Sequence, residues 1–367
     1  MEDNWTLRWN EDIDYLRDNL TSKHKNLFFS ISKEEFEYKI NNLKSMVGTL
    51  DYNEMKVELS RIVASIRDAH TAIAFPINKY FPLKFYYFSD GIYIIGVMKG
   101  YEDLLYKKVD KIEDTDINQV MEELSKIISY ENKYFLKSHS AKYLQAAEVL
   151  YGLLICDDVD KINITVEGKQ VEILTVMGSE LQYIENDNIP LYAERESENY
   201  WSKFLEYDGV MYIKYNSCRE DGDISIKKKI EDTIRGIEEK HISKVTIDLR
   251  NNLGGNSDLI NPLIDFIKAS ELINRKENLN IIIGRETFSS ALLNAYRFKW
   301  ETNAVIVGEP SGGKPNCYGE ILRFTLPNSK FVVSYSTRFY KLIEDDSIMA
   351  LYPDEIIEES IHDYKLT

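Results

Sequence analysis

Two adjacent serines, Ser289 and Ser290, carry the first chemical signal in this sequence. They follow the apolar run Leu279-Asn280-Ile281-Ile282-Ile283, which the polar turn Gly284-Arg285-Glu286-Thr287 brings to an end, and that pattern reads as a buried strand. Beyond them, Ala291-Leu292-Leu293-Asn294-Ala295-Tyr296 has helix-forming character and neither Gly nor Pro, so the spacing predicts a strand that turns into a helix at the serines. A hydroxyl at a helix N-terminus lies beside unpaired backbone N–H groups and the positive end of the helix dipole, and both favour developing negative charge. Helix capping is the competing use of such a pair.

Two more strand ends carry chemistry. Lys244-Val245-Thr246-Ile247-Asp248-Leu249 reads as a strand that runs into Arg250-Asn251-Asn252-Leu253-Gly254-Gly255, with an amphipathic helix from Leu259 to Ile267 after it. A Gly-Gly pair at such a turn lets backbone N–H groups point into a site without Cβ obstruction, which is how an oxyanion hole is built. A phosphate-binding loop is the competing idea, but no Walker Lys-Ser/Thr follows the glycines and no dinucleotide fingerprint is present. The third strand, Ala304-Val305-Ile306-Val307, ends in Gly308-Glu309-Pro310-Ser311-Gly312-Gly313-Lys314. Lys314 becomes a base for a serine only where burial lowers its pKa, and a lysine in a glycine loop is more often solvated. Strand C-termini in α/β sheets share one edge, so a single pocket is expected to hold all three loops. A histidine, His70, stands upstream in Arg67-Asp68-Ala69-His70-Thr71, at the expected end of a helix, where its commoner use is as a cap or surface group.

The elements that must position these residues fall into three stretches. In residues 1–78, Trp9, Ile13, Leu16 and Leu20, then Phe36, Ile40, Leu43 and Met46, then Leu59, Ile62, Val63 and Ile66 recur at three- and four-residue steps, so a small helical domain is expected. Residues 79–180 alternate strand-like segments (Leu83 to Phe88, Gly91 to Val97, Lys108 to Ile112, Ile162 to Val166, Val171 to Val176) with a helix from about Ile117 to Ile128. That order suggests an α+β peptide-binding module of PDZ type, although no Gly-rich carboxylate-binding loop stands out and an inert subdomain fits as well. Residues 181–367 alternate strands with helices, the pattern of a layered α/β core.

Composition narrows the function classes. The chain of 367 residues is 44% hydrophobic and 29% charged, ordinary globular values, and is long enough for two or three domains. A net charge of −16 disfavours nonspecific nucleic-acid binding and anionic membrane surfaces. Cys156, Cys218 and Cys317 are odd in number, far apart and without metal-ligand spacing, so neither a disulfide framework nor a metal site is expected. No run reaches transmembrane length and no basic-then-apolar leader opens the sequence, so the expectation is a cytoplasmic protein without membrane insertion, with no cofactor and with homo-oligomerisation open.

Taken together the motifs resemble those of the carboxy-terminal processing (tail-specific) serine proteases and of the related core of the tricorn protease. The resemblance rests on Asp68-Ala69-His70-Thr71, Asp248 to Ser257, Thr287-Phe288-Ser289-Ser290-Ala291, Gly308 to Glu320, Leu326-Pro327-Asn328-Ser329 and Tyr352-Pro353-Asp354, which occur in the family's order over nearly the whole chain. The match is nearest to a bacterial branch with a helical N-terminus. It implies a crotonase-like spiral of ββα units preceded by a PDZ-like region, and hydrolysis of peptides or unfolded protein through an acyl-enzyme. It also implies Ser290 as nucleophile, with Ser289 the lesser candidate, and backbone amides of Gly254, Gly255 and Ala291 as oxyanion donors.

The same resemblance offers two bases. In the processing-protease branch a lysine on the glycine loop is the base, which points to Lys314, yet the glutamine expected shortly after it is replaced by Pro315-Asn316-Cys317-Tyr318. In the tricorn-like branch a histidine takes the proton and a carboxylate supports it, which points to His70 with Glu309 or Asp354. An imidazole acts near pH 7 without a large pKa shift, so His70 is favoured. Asp248 and Arg250 are expected to hold the oxyanion turn through a buried ion pair rather than to do chemistry. Ala69, Leu253 and Ser311 stand where Gly, Pro and Thr are common in the family, and none of these changes removes a catalytic group. A silent peptide-binding protein on this fold, and a crotonase-like acyl-thioester enzyme, are the alternatives.

Overall fold

The computed structural model describes residues 4–184 and 189–366. Helices α1 (Asn4–Lys23), α2 (Lys33–Met46) and α3 (Tyr52–Ala64) come first, followed by strands β1 (Ala72–Ala74), β2 (Lys79–Tyr80), β3 (Leu83–Phe88), β4 (Gly91–Val97), β5 (Val109–Ile112) and β6 (Thr115–Asp116). Next come α4 (Ile117–Ser125), α5 (Lys133–Tyr143), α6 (Ala147–Gly152), β7 (Lys161–Val166), β8 (Lys169–Leu174) and β9 (Val176–Met177). The remainder runs β10 (Tyr200–Leu205), β11 (Val210–Tyr215), α7 (Ile226–Glu239), β12 (Lys244–Asp248), α8 (Asn261–Ala269), β13 (Leu279–Ile283), α9 (Ser290–Glu301) and β14 (Val305–Gly308). It closes with β15 (Cys317–Thr325), β16 (Val332–Tyr340), β17 (Glu355–Ile356) and α10 (Ile361–Leu366). By packing, the chain forms two discontinuous units: residues 1–131, 136–185 and 316–341 make the first, and residues 132–135, 186–315 and 342–367 the second.

The first unit is built on the N-terminal helices. Asp51 caps α3 by accepting the Asn53 and Glu54 amides while Glu54 reaches back to the Asp51 amide, a closed capping box. The periodic residues Trp9, Ile13, Leu16, Leu20, Phe36, Ile40 and Leu43 are buried as the spacing requires. Their core also takes Phe324, Phe331, Val333 and Tyr335 from the β15–β16 hairpin, far downstream in sequence. The tip of that hairpin is fastened by a single buried carboxylate: Asp12 accepts the Asn328 and Ser329 amides, both at 2.7 Å. This explains the Leu326-Pro327-Asn328-Ser329 motif as a turn bonded to α1. Strand β1 lies antiparallel to β16, with Ala72 opposite Ser334, at one edge of the sheet β1-β16-β15. The rest of the unit holds the sheet β6-β5-β7-β8, the hairpin β3-β4 and the pair β2-β9. Helix α6 is tied to α3 by the buried pair Lys56–Glu148 at 2.6 Å.

The second unit is an α/β layer. Its sheet has the order β10-β11-β12-β13-β14-β17, antiparallel only between β10 and β11. Buried residues of β11 to β14 and of α7, α8 and α9 form one core, as expected for a parallel sheet covered by helices. The register sets Asp248 beside Ile282 and Ile282 beside Val307, so β12, β13 and β14 end level and release their loops at the same edge. Among the described residues no helix is long and apolar enough to cross a membrane.

Candidate active site

The serine turn is closed by its own side chains before it meets anything else. Gly284 donates its amide to Thr287 Oγ1 at 2.9 Å, Thr287 returns its amide to the Gly284 carbonyl at 2.9 Å, and Thr287 Oγ1 donates to the Leu249 carbonyl at 2.8 Å. Phe288 donates to the Asn252 carbonyl at 3.0 Å. The loops after β12 and β13 are therefore locked together. Ser289 then takes φ 53°, ψ −125°, a conformation costly for any residue with a Cβ, and makes no side-chain cap bond to the helix. Capping does not explain the serines. Ser290 opens α9, is only 9% exposed, and donates its Oγ hydrogen to the Gly255 carbonyl at 2.6 Å.

The glycine loop is shaped from beneath by buried Asn252. Its Nδ2 donates to the Tyr215 carbonyl and its Oδ1 accepts the Gly254 amide, each at 2.9 Å. Gly254 has φ 99°, and a Cβ there would stand 2.9 Å from the Ser290 nitrogen, so only glycine permits this approach. Gly255 has φ 140°, and its Cβ would fall 2.1 Å from the Cys218 carbonyl oxygen, which already accepts the Asn256 amide at 2.7 Å. These contacts set what the expected oxyanion donors do in this structure. The Gly254 amide is spent on Asn252, the Ala291 amide is spent on the Phe288 carbonyl at 3.1 Å, and Gly255 turns its carbonyl rather than its amide to the serine. Turn closure therefore occupies two of the three expected donors. Substituting Gly255→Ala is expected to cost about 3 kcal/mol or more, from strain and a backbone clash. It should also abolish covalent labelling of Ser290; chemical denaturation and labelling of the same preparation check both.

Asp248 and Arg250 form the expected ion pair, at 2.9 Å between Arg250 Nε and the carboxylate, but a third partner escaped the sequence reading. Lys214 on β11, fully buried, lies 3.1 Å from Asp248 and directly opposite it in the register. Tyr212 donates to the same carboxylate at 2.7 Å. Burial alone would raise the Asp248 pKa, yet Lys214, Arg250 and Tyr212 hold it below the ordinary value, while burial pushes the Lys214 pKa down against the pull of Asp248. The legible signal was a lysine inside the otherwise apolar run Val210-Met211-Tyr212-Ile213-Lys214-Tyr215. The two carboxylates proposed to orient a histidine have other bonds in this unit. Glu309 pairs with Arg285 of the serine turn at 2.5 Å, largely buried, and Asp354 accepts the Ile306 amide at 2.9 Å, seating its segment on β14. Lys314, half-exposed, follows Gly313, whose amide donates to the Thr287 carbonyl at 3.0 Å.

The second unit thus brings together Ser289, Ser290, Gly254, Gly255, Ala291, Asp248, Arg250, Glu309 and Lys314, and His70 belongs to the first unit. Helix α3 stops at Ala64, so His70 lies on a turn beyond it rather than at a helix end. That turn is organised by Asp68, a fully buried carboxylate that accepts the His70 amide at 3.0 Å. Burial lowers the His70 pKa, outweighing the Asp68 charge and the imidazole's hydrogen bond to the Tyr318 carbonyl, so the ring is neutral near pH 7, the form in which a base works. Strand β1 begins two residues later, and a groove of about 380 Å³ is lined by β1 with Phe75 and Ile77, by Val332 and Ser334 of β16, by Arg323 of β15 and by Tyr143.

No protein-family model and no curated protein matches this sequence. Solved structures do match: mature CPAF complexed with lactacystin superposes with a TM-score of 0.70 at 10% identity, over 99% of this chain and 96% of that one. The chain shares the fold of mature CPAF. A second structure of mature CPAF gives a TM-score of 0.66 at 13% identity, over 99% and 95%. A looser likeness, with a TM-score of 0.42 at 9% identity over 97% and 94%, is to the photosystem II D1 C-terminal processing protease. The architecture shared with mature CPAF is a mixed α/β fold along nearly the full length of the chain.

Proposed function

We propose that this chain is a serine peptidase that cleaves peptide or unfolded protein substrates through an acyl-enzyme on Ser290, with His70 as general base. The observation that carries the reading is the placement of Ser290. A buried serine at the first position of α9, introduced by a strained Ser289 and packed against glycines that leave no room for a side chain, is a costly arrangement that a mere helix cap does not need. In the proposed reaction Ser290 gives its proton to the His70 imidazole as Oγ bonds the substrate carbonyl carbon. The tetrahedral oxyanion is met by backbone amides, the proton passes to the departing amine as the C–N bond breaks, and water, deprotonated by the same base, releases the acyl group. His70 suits the role because an imidazole whose pKa is lowered is neutral near pH 7 without needing a dry site. A lysine base works from a dry site, and Lys314 is half-exposed. The substrate class follows from the motifs and from the unpaired edge of β1, to which an extended peptide can add as a strand. The crotonase-like spiral and the PDZ-like character of residues 79–180 belong to the same proposal.

One observation favours the silent binding protein: the Ser290 hydroxyl is bonded to a carbonyl, and the Gly254 and Ala291 amides are occupied. Labelling with a fluorophosphonate near pH 7.5, mapped by mass spectrometry in the wild type, His70→Ala and Lys314→Ala, separates the readings. The expected result is an adduct on Ser290 that is lost in His70→Ala and kept in Lys314→Ala. An adduct lost only in Lys314→Ala transfers the base to the lysine, and no serine adduct on folded protein sinks the peptidase.

A further inference from the structure

We propose that His24 is a positioning residue for the His70 turn, acting through the Asp68 carboxylate, so that the N-terminal helices set the orientation and charge environment of the base. This rests on the reading of His70 as that base. His24 lies just past the end of α1 with its side chain fully buried, and the reaction above makes no use of it. Its tautomer is fixed by its neighbours. The Asn26 amide donates to Nδ1 at 3.1 Å, so Nδ1 is an acceptor, and Nε2 must carry the hydrogen that it donates to Asp68 Oδ2 at 3.0 Å. Asp68 Oδ2 also accepts from Thr71 Oγ1 at 2.5 Å and from Ser336 Oγ at 2.6 Å, while Asp68 Oδ1 takes the His70 amide. A buried carboxylate is thereby held by four neutral donors drawn from the segment after α1, from β16 and from its own turn.

Such a carboxylate does two things. It fixes the backbone that carries His70, together with Ser334 Oγ, which donates to the His70 carbonyl at 2.9 Å. It also places a negative charge next to an imidazole that must become imidazolium when it accepts the serine proton, offsetting the cost of burying that cation. Burial would raise the Asp68 pKa, and the His24 bond, the His70 charge and the Ser336 and Thr71 hydroxyls keep it below its ordinary value. A tyrosine completes the link: Tyr318 on β15 packs its ring against His24 at 5.6 Å and against Phe29 at 4.6 Å, takes a hydrogen bond from Asn26 on its hydroxyl, and offers its carbonyl to the His70 ring. Around the base in this unit stand Asp68 on its own turn, His24 just past α1, Tyr318 from β15, the Glu320–Tyr340 pair across β15 and β16 beside Gly319, Arg338 of β16 opposite Gly319 in the register, and the Ser334 and Ser336 hydroxyls of β16.

The test follows His70 by the NMR titration of its Cε1 proton and follows Ser290 by fluorophosphonate labelling rate and peptide turnover against pH, in the wild type, His24→Ala, His24→Gln and Asp68→Asn. Glutamine keeps an N–H donor for Asp68, and alanine does not. The expected result is a labelling rate and kcat lowered about tenfold in His24→Ala with KM unchanged, and largely restored in His24→Gln. The His70 midpoint and the acid limb of the rate should both move to lower pH in Asp68→Asn, because a neutral amide no longer favours the imidazolium. The proposal is overturned if His24→Ala leaves the His70 titration and the labelling rate unchanged, if glutamine does no better than alanine, or if Asp68→Asn leaves the midpoint in place. Where His24→Ala does not fold, His24→Gln and Asp68→Asn decide it. A wild type that titrates at His70 but is never labelled refutes the peptidase, and the NMR arm still decides the His24–Asp68–His70 linkage.

Discussion

Ser290→Ala is expected to remove fluorophosphonate labelling altogether and to lower peptide turnover by roughly 10⁴- to 10⁶-fold, while costing only about 1 kcal/mol of stability. The two numbers separate for a structural reason. In the resting molecule the Ser290 hydroxyl makes one hydrogen bond, to the Gly255 carbonyl, and its loss leaves that acceptor on an exposed glycine where water replaces the donor. In the proposed reaction the same oxygen forms the covalent bond, and no neighbouring group is expected to substitute for it. Ser289 does not: it stands outside the helix at φ 53°, with its Cβ close against the position that a Gly254 Cβ would occupy. Titration with the probe and a thermal melt of the same two preparations check both halves of the expectation. Turnover that survives in the alanine variant would remove Ser290 from the chemistry.

Much of this arrangement was legible because the elements around the serines obey local rules. The β13 run, the polar turn and the helix-forming stretch after Ser290 each have a single natural conformation, and the strand-turn-helix follows from them. The glycines were legible as well, since a Gly-Gly pair at a strand end has few other uses. What stayed hidden depends on contacts between distant residues. No periodicity announces that the core of the first 78 residues is completed by Phe324, Phe331, Val333 and Tyr335, because a hairpin that packs one face reads alike wherever it packs. The direction of a peptide group is equally silent in sequence. Gly254, Gly255 and Ala291 had the right types for an oxyanion hole, yet Asn252 and Phe288 take two of the amides, and the third residue presents its carbonyl. The partner of Glu309 was hidden for a related reason. A carboxylate on a glycine loop looks available, but Arg285, itself buried in the serine turn, is its counter-ion. His24 gave no signal at all, since a lone histidine beyond a helix has no spacing to read.

Removing the carboxylate beneath the glycine loop should have the largest effect on folding: Asp248→Ala is expected to destabilise the protein by about 3–5 kcal/mol, because Lys214 is left as an uncompensated charge in a fully buried position. Replacing the pair together, as Lys214→Met with Asp248→Leu, should recover most of that loss if the cost comes from the orphaned charge, since a buried pair itself adds little net stability. The pH dependence has a definite sign. With the folded Asp248 pKa below its ordinary 3.8, the unfolded chain binds a proton that the folded chain does not, so this contribution is present above about pH 4 and is lost as the pH falls through the folded value. Lys214 acts in the same direction at the alkaline end: its folded pKa lies below 10.5, the unfolded chain again holds the extra proton, and stability rises with pH between the two values. Denaturant melts from pH 3 to 10 should therefore show shallower slopes in the double variant than in the wild type at both ends, the remaining acid slope coming from other carboxylates with lowered pKa values such as Asp68. Because Asp248 also accepts the Arg250 amide at 2.9 Å, at the start of the segment that leads to Gly254 and Gly255, the double variant carries a second reading. If it folds fully but labels Ser290 poorly, the buried ion cluster sets the course of the glycine loop. If it labels at the wild-type rate, Asn252 and Thr287 are enough to hold that loop, and the charges contribute to folding alone.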